Sequence, residues 1–271
     1  MDLDVVLTSS NFNREFEWNT QSIQSLKEIG VSEVYIFKPT KLDYGFRWIT
    51  RKYYQFLKTK SILSPGLYTP PRMRNWFSRI IQELSPDTVL INYAHWDGVL
   101  NHEKFSSVLK IIDIHDLVTL NLQMREHLQK YLPNPPISIN KIEDEILEED
   151  FFKKLNLTVE LEEFQIYDKY HFTIAISPKE AEIINQNTHR TRIVYIPMTQ
   201  EPYYISNSYT GPALFPTGPN PFNVHGYLYF IKKVLPRVIK KAPSFSLQVT
   251  GAICRDVLPV EGISLCGFVP D

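Results

Sequence analysis

The chain has 271 residues and a formal net charge of −1, with 43 % apolar and 13 % aromatic residues. It is long enough for one large domain or two smaller ones. The composition argues against wholesale disorder, and the near-zero net charge gives no indication of nucleic-acid binding. The two cysteines, Cys254 and Cys266, support neither a disulfide framework nor a zinc site, and no secretory segment or membrane-length apolar run is present, so we expect a cytoplasmic protein.

The first forty residues follow a strand–helix–strand pattern. Residues 4–9 predict a strand, and a polar loop that contains Ser10 and Asn11 comes after it. Residues 20–29 predict a helix, and residues 34–37 predict a second strand. Because such units cross over with a right hand, we expect the two strands to pair in parallel.

Two predicted helices, residues 44–58 and 72–84, are both rich in basic and aromatic residues. One interpretation is an outer layer with a solvated basic face and an aromatic stripe packed on the core. The other is a patch that meets an anionic lipid surface or an acidic acceptor. The pattern alone is compatible with both interpretations.

Residues 87–92 predict the next strand, and aromatic side chains follow its end. Tyr93, His95 and Trp96 either line a sugar pocket, because rings stack on sugar faces, or pack as a loop on the core. Both interpretations place the three side chains just beyond the carboxyl end of a strand.

The prediction of function depends mainly on residues 109–116. Their near-continuous β-branched run is typical of a strand buried in a parallel sheet. Asp113, His115 and Asp116 stand at its end. Ligands of open α/β sheets bind at the carboxyl ends of strands, so we expect the chemistry of the chain there.

The middle of the chain continues this alternation. A helix is predicted over residues 118–131, an acidic helical pattern over 139–170, and strands over 172–177 and 193–196. The acidic run is interpreted as a solvated helix face and not as a metal site, because nothing forces its carboxylates to converge. Another helix is predicted to begin at Ser177, with a proline and a glutamate in capping positions. The free backbone N–H groups of its first turn are a potential anion-binding site.

A boundary is predicted at residues 199–212, which are rich in Tyr, Ser, Asn, Pro and Gly. It separates a first domain, residues 1–198, from residues 213–271, which predict a strand, a Gly-containing loop, a helix and two more strands. Three strands and one helix cover a single side of a sheet. We therefore expect a piece of a longer protein, or a second chain that completes this one.

Five segments of the chain occur in a recognisable order: IDIHDL (112–117), YDKYHFTIAISPKEAE (167–182), IVYIP (193–197), GPNPFNVHG (218–226) and LCGFVPD (265–271). This ordered set resembles the group 1, family-four glycosyltransferases of the GT-B fold. The resemblance covers roughly residues 87–271.

The resemblance implies an α/β protein, with a Rossmann-type N-terminal domain that has a parallel sheet and holds a glycan or glycolipid acceptor. It also implies the first β-α-β-β part of a second Rossmann-type domain, which binds a UDP- or GDP-hexose. Transfer would be retaining and independent of metal, without a cofactor other than the nucleotide-sugar substrate. His115 matches a family histidine near the donor sugar, and Asp116 or Asp113 would set its tautomer. The loop matched to donor phosphate contributes Gly218, Asn220, Asn223 and His225, and the acceptor-side candidates are Ser10, Asn11, Tyr93, His95 and Trp96.

The chain departs from the family at two positions of this loop, where Pro219 and His225 stand in place of the usual Arg and Lys. The family glutamates that hold the donor would lie beyond Asp271, so the chain alone is expected to be inactive.

Two functions therefore stay open. One is a hexosyltransferase of polysaccharide biosynthesis at the inner face of a membrane, and the other is a non-catalytic remnant that binds a glycan or a partner. No G-x-G-x-x-G or G-x-S-x-G motif supports an oxidoreductase or a serine hydrolase.

Overall fold

A computed structural model describes residues 3–12, 18–57, 63–199, 204, 206 and 210–269. The chain divides into two compact units. The first consists of Met1–Val118 and Glu160–Met198, and the second of Thr119–Val159 and Thr199–Asp271. The strands are β1 (Val5–Ser10), β2 (Val31–Phe37), β3 (Thr88–Asn92), β4 (Leu109–Ile114), β5 (Phe172–Ala175), β6 (Arg192–Tyr195), β7 (Ala213–Pro216), β8 (Leu247–Thr250) and β9 (Ile263–Gly267). The helices are α1 (Thr20–Glu28), α2 (Lys41–Leu57), α3 (Pro65–Tyr68), α4 (Pro71–Leu84), α5 (Val118–Tyr131), α6 (Phe151–Lys154), α7 (Leu161–Tyr167), α8 (Pro178–Asn187), α9 (Pro221–Tyr229) and α10 (Leu235–Lys241).

Parallel strands form the centre of the first unit. β1 pairs with β2, and β3, β4, β5 and β6 form a four-stranded sheet in that order. The β-branched side chains of β4 explain its central place, because Ile112 and Ile114 are completely buried. The predicted α/β class with parallel sheets is therefore confirmed.

The helix α4 packs as the periodicity predicts. It begins at Pro71, where the missing N–H of proline costs nothing, and it buries Met73, Phe77, Ile80 and Ile81 on one face. The packing interpretation is therefore confirmed for α4. It fails for α2, where the apolar side chains of Leu42, Ile49 and Phe56 are exposed.

The second unit contains the predicted β-α-β-β pattern. β7, β8 and β9 lie side by side in parallel, and α9 runs through one wide turn, Phe230–Val234, into α10. Val224, Tyr227 and Leu228 of α9 pack with Leu247 and Val249 of β8 in its core. Of the predicted 199–212 linker, the structure describes only residues 199, 204, 206 and 210–212.

The segment Thr119–Val159 corrects two expectations. It does not belong with the first unit, as the 1–198 domain required, because it groups with the C-terminal strands and contributes Ile146 and Phe151 to their core. The acidic 139–170 pattern is also not one helix. It consists of short turns, the short helix α6 and the separate helix α7, with irregular chain between them.

The broken helix has a physical reason. The backbone oxygen of Ile142 accepts a hydrogen bond from Lys232 Nζ at 2.8 Å, and that of Ile146 accepts one from His225 Nε2 at 2.6 Å. These bonds replace the intrahelical ones that a continuous helix would supply. The buried Ile142 and Ile146 thus cover α9 and the following turn, which three strands and one helix alone would leave open.

No helix in the described part of the chain is both long and apolar enough to cross a membrane.

Candidate functional site

The carboxyl ends of β3 and β4 lie side by side in the first unit. Asn92, the last residue of β3, is in register with Asp113 of β4. Because side chains alternate along a strand, Asp113 and His115 share one face while Ile112 and Ile114 are buried on the other. The His115 side chain is 38 % exposed, so its imidazole is accessible at the edge of the sheet, as predicted.

An aromatic column, defined as His115, Tyr93, His95, Tyr68 and Trp96, continues from this imidazole. The ring of Tyr93 lies 4.9 Å from that of His115 and stacks on that of His95 at 5.4 Å. The His95 ring in turn contacts Tyr68 at 4.8 Å and Trp96 at 5.2 Å. The structure thus brings together four of the predicted side chains, Tyr93, His95, Trp96 and His115.

Tyr93 adopts a backbone conformation that is rare for a residue with a side chain. Its φ is +65°, and its N–H donates to the backbone oxygen of Asp113 at 2.8 Å. Such strain costs about 1–3 kcal/mol and is concentrated at functional sites. Here it turns the chain directly after β3, so that the Tyr93 ring lies against His115.

Carboxylates surround the exposed end of the column. The Nε2 atom of His115 lies 3.6 Å from Asp113 Oδ2, while Asp113 Oδ1 is buried and has no hydrogen-bond partner among the described residues. Asp116 is exposed. Burial, together with the negative charges of Asp116 and Asp113, raises the pKa of Tyr93 above its ordinary value. The imidazole therefore lies in a locally anionic setting.

His95 differs from His115. Burial lowers the pKa of His95 to about 4, so its ring is neutral at physiological pH. A neutral ring between aromatic neighbours packs as an aromatic group. His115, by contrast, has a neighbouring carboxylate and access to solvent, and its catalytic role stays a prediction.

The start of α5, directly after this edge, is already occupied by carboxylates. Glu163 is completely buried and accepts hydrogen bonds from Val118 N–H at 2.7 Å and from the hydroxyl of Tyr167. Glu180 accepts from Leu117 N–H, and its pKa is raised by burial and by neighbouring carboxylates. The sequence did not predict either glutamate at this position. Glu180 was predicted in a capping box of α8, but the Ser177 side chain makes no capping bond.

A pocket of about 200 Å³ lies beside the aromatic column. Its lining comes from the end of β1, from the end of β3 and from α4. The pocket thus lies where the carboxyl end of β1, in the two-stranded sheet, approaches that of β3, in the four-stranded sheet, and ligands of α/β proteins bind at the carboxyl ends of strands. The lining residues are Thr8, Ser9, Ser10, Met73, Trp76, Phe77, Leu90, Ile91, Asn92, Trp96 and Val99.

Two predicted acceptor-side residues, Ser10 and Trp96, line this pocket, whereas Asn11 lies next to it in the chain. The Asn11 side chain accepts from Trp18 N–H at 3.3 Å, and Trp18 Nε1 donates to Ser9 Oγ at 2.8 Å. Asn11 therefore has a structural partner next to the pocket. The pocket combines hydroxyl groups with indole rings, which suits a polar ligand with an apolar face.

The predicted phosphate loop lies in the second unit and is organised by its own hydrogen bonds. Asn220 caps α9 by accepting from Asn223 N–H at 2.9 Å, and the Asn223 side chain donates to Gly218 O at 3.2 Å. His225 binds the Ile146 carbonyl. Residues 218–226 are all described and contain no Lys or Arg. The loop gives these side chains structural partners, and their role in phosphate binding stays a prediction.

A glycine holds this loop close to β8. Gly251 has a φ of +100°, and a Cβ atom there would lie 2.2 Å from the backbone oxygen of Thr217. Only a residue without a side chain permits that approach. Among the described residues, no group of three His, Cys, Asp or Glu side chains is arranged to hold a metal ion.

Comparisons with known proteins add little to this picture. No protein-family model matches the chain, and no curated protein matches it. Several solved structures are similar to the chain. One of them is a Listeria monocytogenes protein assigned as a UDP-N-acetylglucosamine 2-epimerase, with 9 % sequence identity and a TM-score of 0.41 over 99 % of this chain and 70 % of that chain. A likeness of this size carries no functional argument.

Proposed function

We propose that the chain is the acceptor-side part of a hexosyltransferase that uses a nucleotide-sugar, a UDP- or GDP-hexose. The observation that supports this proposal best is the accessible His115 imidazole at the carboxyl edge of a parallel sheet, with Tyr93 against its ring and Asp113 beside Nε2. The ordered resemblance of the C-terminal segments to family-four glycosyltransferases supports the choice of donor.

In this proposal His115 hydrogen-bonds a sugar hydroxyl or the leaving phosphate. Transfer forms a bond between an acceptor oxygen and the anomeric carbon and breaks the bond from that carbon to the nucleotide phosphate. The proton of the acceptor hydroxyl leaves with the phosphate. Asp113 or Asp116 sets the tautomer of His115, and the face of Tyr93 limits how the ring can turn.

The pocket between β1 and β3 is proposed to hold the acceptor sugar. Trp76 and Trp96 offer indole rings for a sugar face, and Thr8 and Ser10 offer hydroxyl groups. A pocket of about 200 Å³ suits a single monosaccharide unit better than a whole nucleotide-sugar, since sites for drug-sized ligands start at about 300 Å³. We therefore assign the donor to another part of the enzyme.

A second candidate is a glycan-binding module that needs no nucleotide. It is favoured by the predicted phosphate loop, because residues 218–226 supply no cation to neutralise a diphosphate and Asn220 and Asn223 bind within the loop. Such a module would use the same pocket in the first unit. The two candidates differ only in whether a nucleotide-sugar binds.

The test uses the protein completed by the part that binds the donor, with a panel of UDP- and GDP-hexoses and of short glycans; binding is followed by ligand-observed NMR and turnover by nucleotide release. We expect His115→Gln to lower hexose transfer about 10²-fold or more, the usual size of a lost acid–base group. His189→Gln, an exposed histidine of the same unit, is the matched control and should change neither. Glycan binding without any nucleotide-sugar binding selects the module, and binding of neither ligand rejects both candidates.

A further inference from the structure

The two faces of α2 have the reverse of the polarity that is usual for a surface helix. Its inner face is polar and specifically bonded. Asp43 is 3 % exposed and accepts from Arg72 Nε at 3.0 Å, while Arg47 Nε donates to the backbone oxygen of Leu67 at 2.7 Å. Tyr54 shares a hydrogen bond of 2.7 Å with Ser64. An ordinary surface helix points its apolar stripe towards the core instead.

The apolar residues of α2 face outwards. They recur at steps of four and three residues, so they lie along one stripe that runs for about 20 Å at 1.5 Å per residue. Leu42 and Phe56 are 81 % and 84 % exposed, and Ile49 is 61 % exposed. We call this stripe the outer face of α2. Its members are Leu42, Phe46, Ile49, Tyr53, Phe56 and Leu57.

Charge along α2 has one sign. The helix carries four cationic side chains, and Lys41, Arg51 and Lys52 are exposed. Its single carboxylate, Asp43, is buried against Arg72. All residues of α2 are described, so its exposed surface holds no acidic side chain. This positive local charge contrasts with a net charge of −1 for the whole chain.

We propose that the outer face of α2 docks on an anionic lipid surface. Apolar and aromatic side chains beside Lys and Arg are the features that let a helix lie in the plane of a bilayer interface. Exposed Trp48 adds an amphipathic ring of the kind found at that depth. A second copy of this chain fits less well, because pairing two outer faces would bring Lys41 and Lys52 towards the same cations of the partner copy. The proposal is independent of the sugar chemistry proposed above.

Co-sedimentation with vesicles tests it. The full chain is mixed with vesicles of phosphatidylcholine alone or of phosphatidylcholine with phosphatidylglycerol. We expect partition into the anionic vesicles only. Ile49→Ser with Phe56→Ser should lower it at least tenfold for each side chain that no longer enters the lipid. Lys41→Glu with Lys52→Glu should lower it about tenfold or more, because each cation near an anionic surface contributes about a factor of five.

Matched controls separate these effects from general changes of the surface. Leu161→Ser removes an exposed apolar side chain elsewhere on the first unit, and Lys241→Glu reverses an exposed charge on α10. Both should bind as the wild type does, and circular dichroism should confirm that every variant is folded. Equal binding to neutral vesicles, or full binding by the Ile49/Phe56 variant, overturns the proposal. A dimer that this variant dissociates, in a chain that binds no vesicles, assigns the outer face to a second copy and overturns it as well.

Discussion

Asp97 is a buried carboxylate whose charge should contribute strongly to the stability of the first unit. Its side chain is 7 % exposed and has three partners. His102 Nε2 lies 2.8 Å from Oδ1, Lys169 Nζ donates to Oδ2 at 2.7 Å, and the hydroxyl of Tyr170 donates to Oδ1 at 3.1 Å. The substitution Asp97→Asn keeps the volume of the side chain and removes its charge.

The size of the effect follows from the surroundings. Breaking one partner out of a buried ion pair costs about 3–5 kcal/mol. Because Lys169 is 45 % exposed and can turn into water, we expect the lower end, about 3 kcal/mol. For a unit of this size that corresponds to a loss of about 6–12 °C in melting temperature. Asp87→Asn, an exposed carboxylate just before β3, is the control and should change it by less than about 1–2 °C.

The dependence on pH gives a second readout. Burial raises the pKa of Asp97, but the hydrogen bonds and charges of His102 and Lys169 outweigh it, so the pKa lies below its ordinary value. A lowered carboxyl pKa stabilises the fold above the unfolded pKa of about 3.9, and this contribution is lost as the pH falls through the folded pKa. The difference between wild type and Asp97→Asn in thermal unfolding should therefore shrink below about pH 4. A difference that stays constant with pH, or a loss under about 2 °C at neutral pH, would refute the reasoning.

Three other measurements test separate parts of the structure. In NMR titrations the ring signals of His95 should stay constant from pH 8 down to about 5 and move near pH 4. A His95 midpoint near 6.5 would contradict its burial. Gly251→Ala should lower the free energy of unfolding by about 1–3 kcal/mol, through positive φ and a backbone clash, while Gly226→Ala, with open space around it in α9, should raise it by about 0.5–1 kcal/mol. Equal effects at the two glycines would contradict the close approach. Lys232→Met should speed hydrogen exchange in residues 139–150 without affecting the first unit, and unchanged exchange would show that the segment is held by apolar packing alone.

Local sequence pattern was enough for the strands and their parallel pairing. The largely apolar run at 109–114 predicted a central parallel strand, and Ile112 and Ile114 are completely buried, although Leu109 and Asp113 on the opposite face are only partly covered. The failure at 139–170 has the opposite cause. Helical spacing is a local property, whereas the carbonyls of Ile142 and Ile146 are bonded by side chains about eighty or ninety residues away. Which unit a segment joins is decided by such distant partners.

Some features of the candidate site could be predicted from local sequence, and others could not. The position of His115 follows from the end of a strand, and its pairing with Asp113 follows from the pleat, so both could be predicted. The glutamates at the start of α5 could not, since Glu163 reaches Val118 across 45 residues of sequence. The sequence left two interpretations of α2 open, because aromatic and basic residues at helical spacing suit a core contact and a lipid surface alike. Nothing near it in sequence reveals that Arg72 binds Asp43 on the other side.

One helix links the two proposals physically. The helix α4 lines the proposed acceptor pocket with Met73 and Trp76, and through Arg72 it binds Asp43 on the inner face of α2. The ion pair and the hydrogen bond of Arg47 to the Leu67 carbonyl fix α2 within the first unit, so a docked α2 would hold the pocket at a set height above the lipid. A glycan acceptor that is free in solution gains nothing from that arrangement. An acceptor whose sugar is attached to a lipid gains both an anchor and an orientation, and it is therefore the acceptor class that satisfies both proposals.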